Sequence, residues 1–595
     1  MTSVTGSGAL DSPVGLGTDT PLGSTEERLE RRLHKAFRVA AIALSLLFVT
    51  ADRHVMGNDG IAYLDQGEAF LRGNWQMAIN AYWSPLYSVL LGLAMRVFQP
   101  SPYWEFSVVH LVNFLIFLGA LVAFTFFLRE LIRFHRNRDR TIGDGWMGLP
   151  GWAWVVLGYS LFIWTSQLWI TVRHVSPDLC VAALVFLAAG ITLRIRRGET
   201  SWPAFILLGL VLGLGYLAKA SMFPLAFVFL FVSFLAVGNL RRAIPRVGVA
   251  LLAFFVIAGP WIIALSQSKG RVTFGDSGKL NYAAHVARFP WRHWQGAPAG
   301  SGTPKHPTRQ LSTDPPIYEF GSPIGGTYPN FYDPSYWYDG IRPPFQLGRH
   351  VRNMLSTSQF WVDLLYALHG SLVISLFVLV YMSGRGLRIR DVIAQWVLLV
   401  PALAALLMYG QVYIEPRYVG AFVVLLFVGL FSSVRTRGRR EDNRLIACLM
   451  IIIAAMLTLT LSRPALEAVA SLVRDARAGR EAAGGKAWRV ADGIRRMGVE
   501  PGQKVASLKY SNLGQVAWAR LARVQIVAET FSDQAEGDEK AFWAADRAIR
   551  ERVLGTFAKA GADIVVGNEA PAWASGEGWQ RVGSTDYHVY FLRGK

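Results

Sequence analysis

Residues 203–238 read PAFILLGLVLGLGYLAKASMFPLAFVFLFVSFLAVG, and their only charged side chain is Lys219. About 20 apolar residues cross a bilayer as a helix. The stretch therefore divides into two spans, 203–217 and 221–238, joined by a tight turn at the lysine. NLRRAIPR follows at once, so the pair is closed by a basic cluster.

Comparable runs recur on both sides. Taken as spans they are 37–51, 104–128, 151–171, 177–194, 203–217, 221–238, 247–266, 362–382, 391–409, 419–434 and 444–461, about eleven transmembrane helices. Basic clusters set their direction. ERLERRLHKAFR precedes the first span and RELIRFHRNRDR follows the second. RIRR follows the fourth, and NLRRAIPR, RGLRIR and RTRGRR follow the sixth, eighth and tenth. An alternating chain places all six on one side, and cytoplasmic loops gather Lys and Arg. The formal charge of +19 is thus a matter of topology, and a nucleic-acid partner is not expected. PLYSVLLGLAMRVF (85–98) is short for a span, and counting it as one would turn every later cluster outward. It reads as an amphipathic helix along the outer interface.

The N-terminal residues 1–30 are expected to form a disordered cytoplasmic tail, since they begin with a Gly/Ser/Thr/Pro-rich stretch. The first apolar run starts late and lacks a cleavage site, so it reads as an uncleaved span and not a signal peptide. Residues 31–461 form the membrane region, with outer loops 52–103 and 267–361. Cys180 and Cys448 both lie in apolar runs, which argues against a disulfide or a zinc site. After about residue 462 the pattern changes. Helical stretches 465–497 and 540–560 alternate with the β-like runs KVASLKY, RVQIVAE, ADIVVGN and HVYFLR. That alternation implies a small extracytoplasmic α/β domain over 462–595. It lacks the glycine motifs of a nucleotide site.

Polar residues of catalytic type sit at the outer turns. Asp59 directly follows the first span in GNDGIAYL, with Tyr63 one turn on. Two readings stand: a general base at the membrane surface, or a helix cap. TVRHVSPD brings Arg173, His174 and Asp178. Asp178 is either a holder of a metal or sugar hydroxyl, or a charge at a helix N-terminus. Lys219 either snorkels or meets a lipid phosphate. In IEPRYVG, Arg417 grips a phosphate with its planar fork or simply pairs with Glu415, and Tyr418 follows it. The long loop carries FPWRHWQG, DPPIYEFG and TYPNFYDPSYWYDG without clear secondary structure. Its aromatic faces suit sugar stacking or anchoring at the interface. His285, His293 and His306 lack metal-ligand spacing.

An Asp after the first span in D-G-x-x-Y-L, then G-N-W and Y-W-S-P-L-Y, resembles the polytopic GT-C glycosyltransferases. Similar features occur in the RgtA/B/C/D-like group, the aminoarabinose transferases and the protein O-mannosyltransferases. S-P-D at 176–178, the Lys219 turn, R-Y-V at 417–419, the long loop and the outer C-terminal domain follow in the family's order. The resemblance implies an inner-membrane glycosyltransferase for hexosyl or pentosyl groups. Its donor would be a polyprenyl-phosphate sugar, transferred with inversion to a lipid, glycan or protein acceptor. Asp59 would be the base, and Lys219 and Arg417 would receive the leaving phosphate. Asp178, Arg173, His174, Tyr63 and Tyr418 would line the pocket, with a divalent metal an open option. The family often has Asp-Glu in the first loop, whereas Gly60 follows Asp59 here. A transporter or flippase of lipid-linked saccharides is the alternative. It would call for polar residues at midplane and internal repeats, and the sequence offers neither.

Overall fold

The computed structural model describes residues 22–142, 145–289, 292–321, 323, 325–365, 368–382, 386, 388–512, 514–531 and 537–592. It is mostly helical, with one sheet. The apolar runs fall on helices, from Leu22–Ala51 to Arg440–Ala483; the run 391–409 is divided between Ile389–Ile393 and Trp396–Gly410, and within the run 362–382, residues 366 and 367 lie outside the described set. Among the described residues five helices are long and apolar enough to cross a membrane by length and composition, and six more are apolar but shorter. The tail expected over 1–30 is already helical from Leu22, and residues 1–21 lie outside the described set.

Ion pairs knit the basic clusters together at one end of the bundle. Glu30 pairs with Arg136 at 2.7 Å, Glu130 with Arg197 at 2.6 Å, and Asp139 with Arg435 at 2.6 Å. The first, second, third and last of the six clusters thus meet at one end of the bundle.

At the opposite end, helix Asn58–Leu71 crosses helix Pro85–Phe98 at a glycine contact. A Cβ on Gly67 would meet the Ser88 carbonyl oxygen at 2.3 Å, and one on Gly92 would meet the Gly67 oxygen at 2.6 Å. No larger residue fits either position. Helix Pro85–Phe98 is half-buried and leaves Leu93, Val97 and Phe98 exposed toward its end.

Helix Arg440–Ala483 runs to a break at Gly479, whose φ is 78°. At about 1.5 Å per residue it reaches some 60 Å, roughly twice the hydrocarbon thickness of a bilayer. One continuous helix thus joins the last apolar run to the C-terminal segment. There the expected strands appear as Lys504–Ser507, Gln525–Thr530, Ile564–Asn568 and Tyr587–Phe591.

The long loop departs from the expectation of an unstructured segment. It supplies two strands, Arg309–Thr313 (β1) and Pro316–Glu319 (β2), to the same sheet. With Lys504–Ser507 (β3), Gln525–Thr530 (β4), Ile564–Asn568 (β5), Gln580–Arg581 (β6) and Tyr587–Phe591 (β7), the order is β1-β2-β4-β3-β5-β7-β6. β3 runs parallel to β4 and β5, and the other pairs are antiparallel. Ile61, Phe106, loop residues Trp294 and Tyr328, and domain residues Val505 and Trp518 share one core. The C-terminal domain therefore begins, structurally, inside the loop.

Arg520, on the short helix Val516–Ala522, locks this unit to the membrane region. Its guanidinium donates to Glu105, Asp65 and Glu68, each at 2.7 Å, and Arg523 adds a second bond to Glu105. Removing one partner of a buried pair strands the others without compensation. Arg520→Leu should cost about 3–5 kcal/mol, read as a lowered midpoint of thermal unfolding in detergent. An unchanged midpoint would mean that the network holds nothing together.

Candidate functional site

Asp59 is the second residue of helix Asn58–Leu71, and the N-cap position belongs to Gly57. Its side chain makes no cap bond. Oδ2 instead accepts from both terminal nitrogens of Arg417, each at 3.2 Å. Oδ1 carries no hydrogen bond from any described residue. Gly60 lies tight on the 171–178 turn, where a Cβ would sit 2.7 Å from Val175 Cγ1. The family's second acidic residue has no room at that position.

Arg417 opens helix Pro416–Phe431 and gathers the outer turns around itself. Its Nε lies 2.5 Å from Glu415 Oε2 and 3.9 Å from Asp178 Oδ2. Nη1 is 2.5 Å from His174 Nε2. Since arginine only donates, that imidazole nitrogen accepts, and the proton sits on Nδ1. Arg417 thus makes the pairing with Glu415 that the sequence offered as one reading, and it also lines a cavity.

Asp178 begins helix Asp178–Arg196 and is buried. Oδ1 accepts from Lys219 Nζ at 2.6 Å and Oδ2 from Ser176 Oγ at 2.9 Å. Lys219 points inward, its ammonium 3.5 Å from the centre of the Tyr418 ring. This replaces the snorkelling reading: the side chain is held by a carboxylate and an aromatic face. Burial lowers the Lys219 ammonium from its ordinary range, against the opposing pull of Asp178. Tyr63 packs on Trp83 and Tyr87 with ring centres 4.9 and 5.2 Å away.

Of the residues expected to line a pocket, His174 reaches it only through Arg417, and Arg173 does not reach it. Arg173 turns away and pairs with Asp52 at 2.5 and 3.1 Å, over the Phe48 ring. Adjacent residues of a tight turn face opposite ways, so sharing a motif with His174 did not give it the same destination.

Two cavities meet at Asp59. The first, about 400 Å³, is lined by Asp59, Tyr63, Asp178, Lys219, Arg417 and Tyr418, with Lys279, Tyr409, Met408 and Phe274. The second, about 310 Å³, shares Asp59, Tyr82, Trp83, Tyr413, Arg417 and Tyr418, and adds Arg292, Tyr338, Tyr510 and Asn512. Lys279, Arg292 and Tyr510 escaped the sequence reading because they come from the loop and the C-terminal domain. Neither segment has a periodicity that points side chains toward the membrane region. Of the loop aromatics, Phe331 and Tyr338 reach the second cavity, whereas Trp294 and Trp337 are core. The three loop histidines stay apart. His285 stacks on Tyr413 at 3.9 Å, His293 is buried against Glu529 at 2.9 Å, and His306 stacks on Tyr336 at 4.1 Å.

The carboxylates of the site do not fit a divalent ion as arranged. Asp59, Asp178 and Glu415 all face one guanidinium. Among the described residues no group of three His, Cys, Asp or Glu is spaced to hold a metal.

His174 offers a check on this geometry. Burial, then the Arg417 charge, holds it below its ordinary 6.5. The folded chain thus binds its proton less readily than the unfolded chain. The stability it contributes is complete above pH 6.5 and is lost as pH falls through the lower folded value. His174→Gln keeps an acceptor for Arg417 but has no proton to gain. Its unfolding midpoint should fall less than that of the unsubstituted protein on acidification; parallel curves would contradict the Arg417 contact.

No family model matches the chain, and no curated protein matches it. Among solved structures it is similar to ArnT from Cupriavidus metallidurans bound to undecaprenyl phosphate. The identity is 12% and the TM-score 0.49, over 94% of this chain and 98% of that one. It is also similar to the Archaeoglobus fulgidus oligosaccharyltransferase in complex with Zn and sulfate, at 14% identity and TM-score 0.44 over 89% and 67% of the two chains. A third structure, archaeal oligosaccharyltransferase AglB from the same organism with an inhibitory peptide and a dolichol-phosphate, matches at 12% identity and TM-score 0.44, over 90% and 69%.

Proposed function

We propose that this chain is an integral membrane glycosyltransferase. It moves a sugar from a polyprenyl-phosphate donor to an acceptor hydroxyl at the outer face, with inversion. In this reading the eleven apolar runs span the membrane, the basic end is cytoplasmic, and the C-terminal domain lies outside. The observation that carries the proposal is the place of Asp59, at the junction of two cavities, with one carboxylate oxygen held and the other open.

The first cavity suits the donor. Lys219, Lys279 and Arg417 bring three cationic side chains to its wall, each able to donate to a phosphate. Met408, Tyr409 and Phe274 offer an apolar side for the first prenyl units. The second cavity suits the acceptor, with tyrosine and asparagine side chains able to stack on and bond a polar molecule. The acceptor hydroxyl approaches Asp59 Oδ1 and gives up its proton there as its oxygen bonds the anomeric carbon. The bond from that carbon to the phosphate oxygen breaks, and the electron pair leaves with the phosphate. Fixed cations stabilise that developing charge without reorganising. Arg417 serves twice, anchoring Asp59 through Oδ2 and presenting charge to the phosphate. His174, Asp178, Tyr63 and Tyr418 hold the cations and the aspartate in register.

Asp59→Asn keeps size and shape but cannot take a proton. Transfer of labelled sugar from polyprenyl phosphate in membranes should fall by about 10²–10⁴-fold, with insertion and thermal stability near those of the unsubstituted chain. A variant that inserts normally and transfers sugar at the original rate would eliminate Asp59 as the base.

A further inference from the structure

Beyond the second cavity the loop forms another cleft, of about 290 Å³. Its wall carries Arg288, Arg349, Arg352 and Asn353 and no acidic residue. None of the three arginines forms an ion pair among the described residues. Arg288 is held there in a left-handed backbone conformation, φ 55°. Three uncompensated guanidinium groups around one space repel each other unless an anion lies between them. Arginine forks match phosphate geometry in particular.

The helix that supplies two of these arginines, Leu347–Ser356, buries no residue at all. Arg349 and Arg352 stand on one side of it. Leu347, Val351, Met354 and Leu355 follow the spacing of the other side and are all exposed, as is Phe345 just before it. A helix with an unpartnered apolar face and a basic face lies in a membrane interface, its apolar side at the acyl boundary and its basic side at phosphate level. Position agrees with this. Asn353 donates to the Gln411 and Val412 carbonyls, just past the end of apolar helix Trp396–Gly410. Tyr282 and His350 stack with centres 6.1 Å apart, which ties the helix to the turn whose His285 covers Tyr413.

From this we infer that the cleft between helix Leu347–Ser356 and residues 286–289 binds the phosphate headgroup of an anionic lipid in the outer leaflet. Arg288, Arg349 and Arg352 grip the phosphate, and the apolar helix face lies beside the acyl chains. The site is separate from the Asp59 cavities, and the inference does not rest on the transferase reading.

Native mass spectrometry of the full chain, titrated with phosphatidylglycerol or phosphatidylcholine, tests it. The intact protein should hold one phosphatidylglycerol more tightly than phosphatidylcholine. Each arginine removed should weaken that binding about fivefold, the equivalent of about 1 kcal/mol per basic residue at a membrane surface. Arg352→Gln is the primary variant, because its side chain has no hydrogen bond or ion pair with a described residue. Arg349→Gln also gives up a bond to the Ala287 carbonyl, and its thermal midpoint serves as a folding control. Inorganic phosphate in excess should leave the lipid in place. Equal retention of the two lipids, or phosphatidylglycerol binding unchanged in Arg352→Gln, would overturn the inference. Displacement by inorganic phosphate at matching concentration would reduce the cleft to a plain phosphate site and would overturn the lipid assignment.

Discussion

A single guanidinium, that of Arg417, organises the outer end of this protein. Three carboxylates from three separate segments and one neutral imidazole are arranged around it. A charge at this depth is tolerable only when paired and bonded on every side, and arginine supplies five donors in a plane that never loses its charge. Lysine could not serve in its place: one ammonium cannot face Asp59, Asp178, Glu415 and His174 at these angles. The turns at 57–60, 171–178 and 414–417 are therefore tied by electrostatics as well as by the packing of Val172, Val175 and Ile414. Their apolar helices fix depth and direction, and the charge network fixes where the loop tips meet.

How much of this could be read from the chain follows the range of the forces involved. Apolar runs and basic clusters are local features, and both were legible: the runs became helices and four of the six clusters met at one end. The strands of the C-terminal domain were legible too, because KVAS and IVVGN carry their own β preference. β1 and β2 were not. RQLST is largely polar and PIYE begins with proline, so neither advertises a strand; β1 pairs with β2, and β2 with β4, far along the chain. Asp59, Asp178, Lys219 and Arg417 were found because an ionisable residue beside an apolar run is conspicuous. The direction of Arg173 was invisible, since a turn motif gives proximity in sequence but not orientation in space.

The domain boundary also shifts once packing is considered. The long loop, the start of helix Glu105–Ile142 and the C-terminal strands share one hydrophobic core. Arg520 then bonds that unit to Asp65 on the helix that carries Asp59. A cap that merely rested on the membrane region would not need buried charges on both sides of the contact. The C-terminal domain and the Asp59 helix form one mechanical piece, and the second cavity takes its shape from both.

The two-part sheet has a bearing on biogenesis. Translation proceeds from the N-terminus, so the β1–β2 hairpin is made long before β4 exists. During that interval the β2 edge has unpaired backbone groups, the kind of edge that invites pairing with a neighbouring chain. Several apolar helices must still be synthesised before its partner strand exists. The sheet can close only after the C-terminal strands are made, and a chain truncated before residue 504 would keep an open strand edge for as long as it survives.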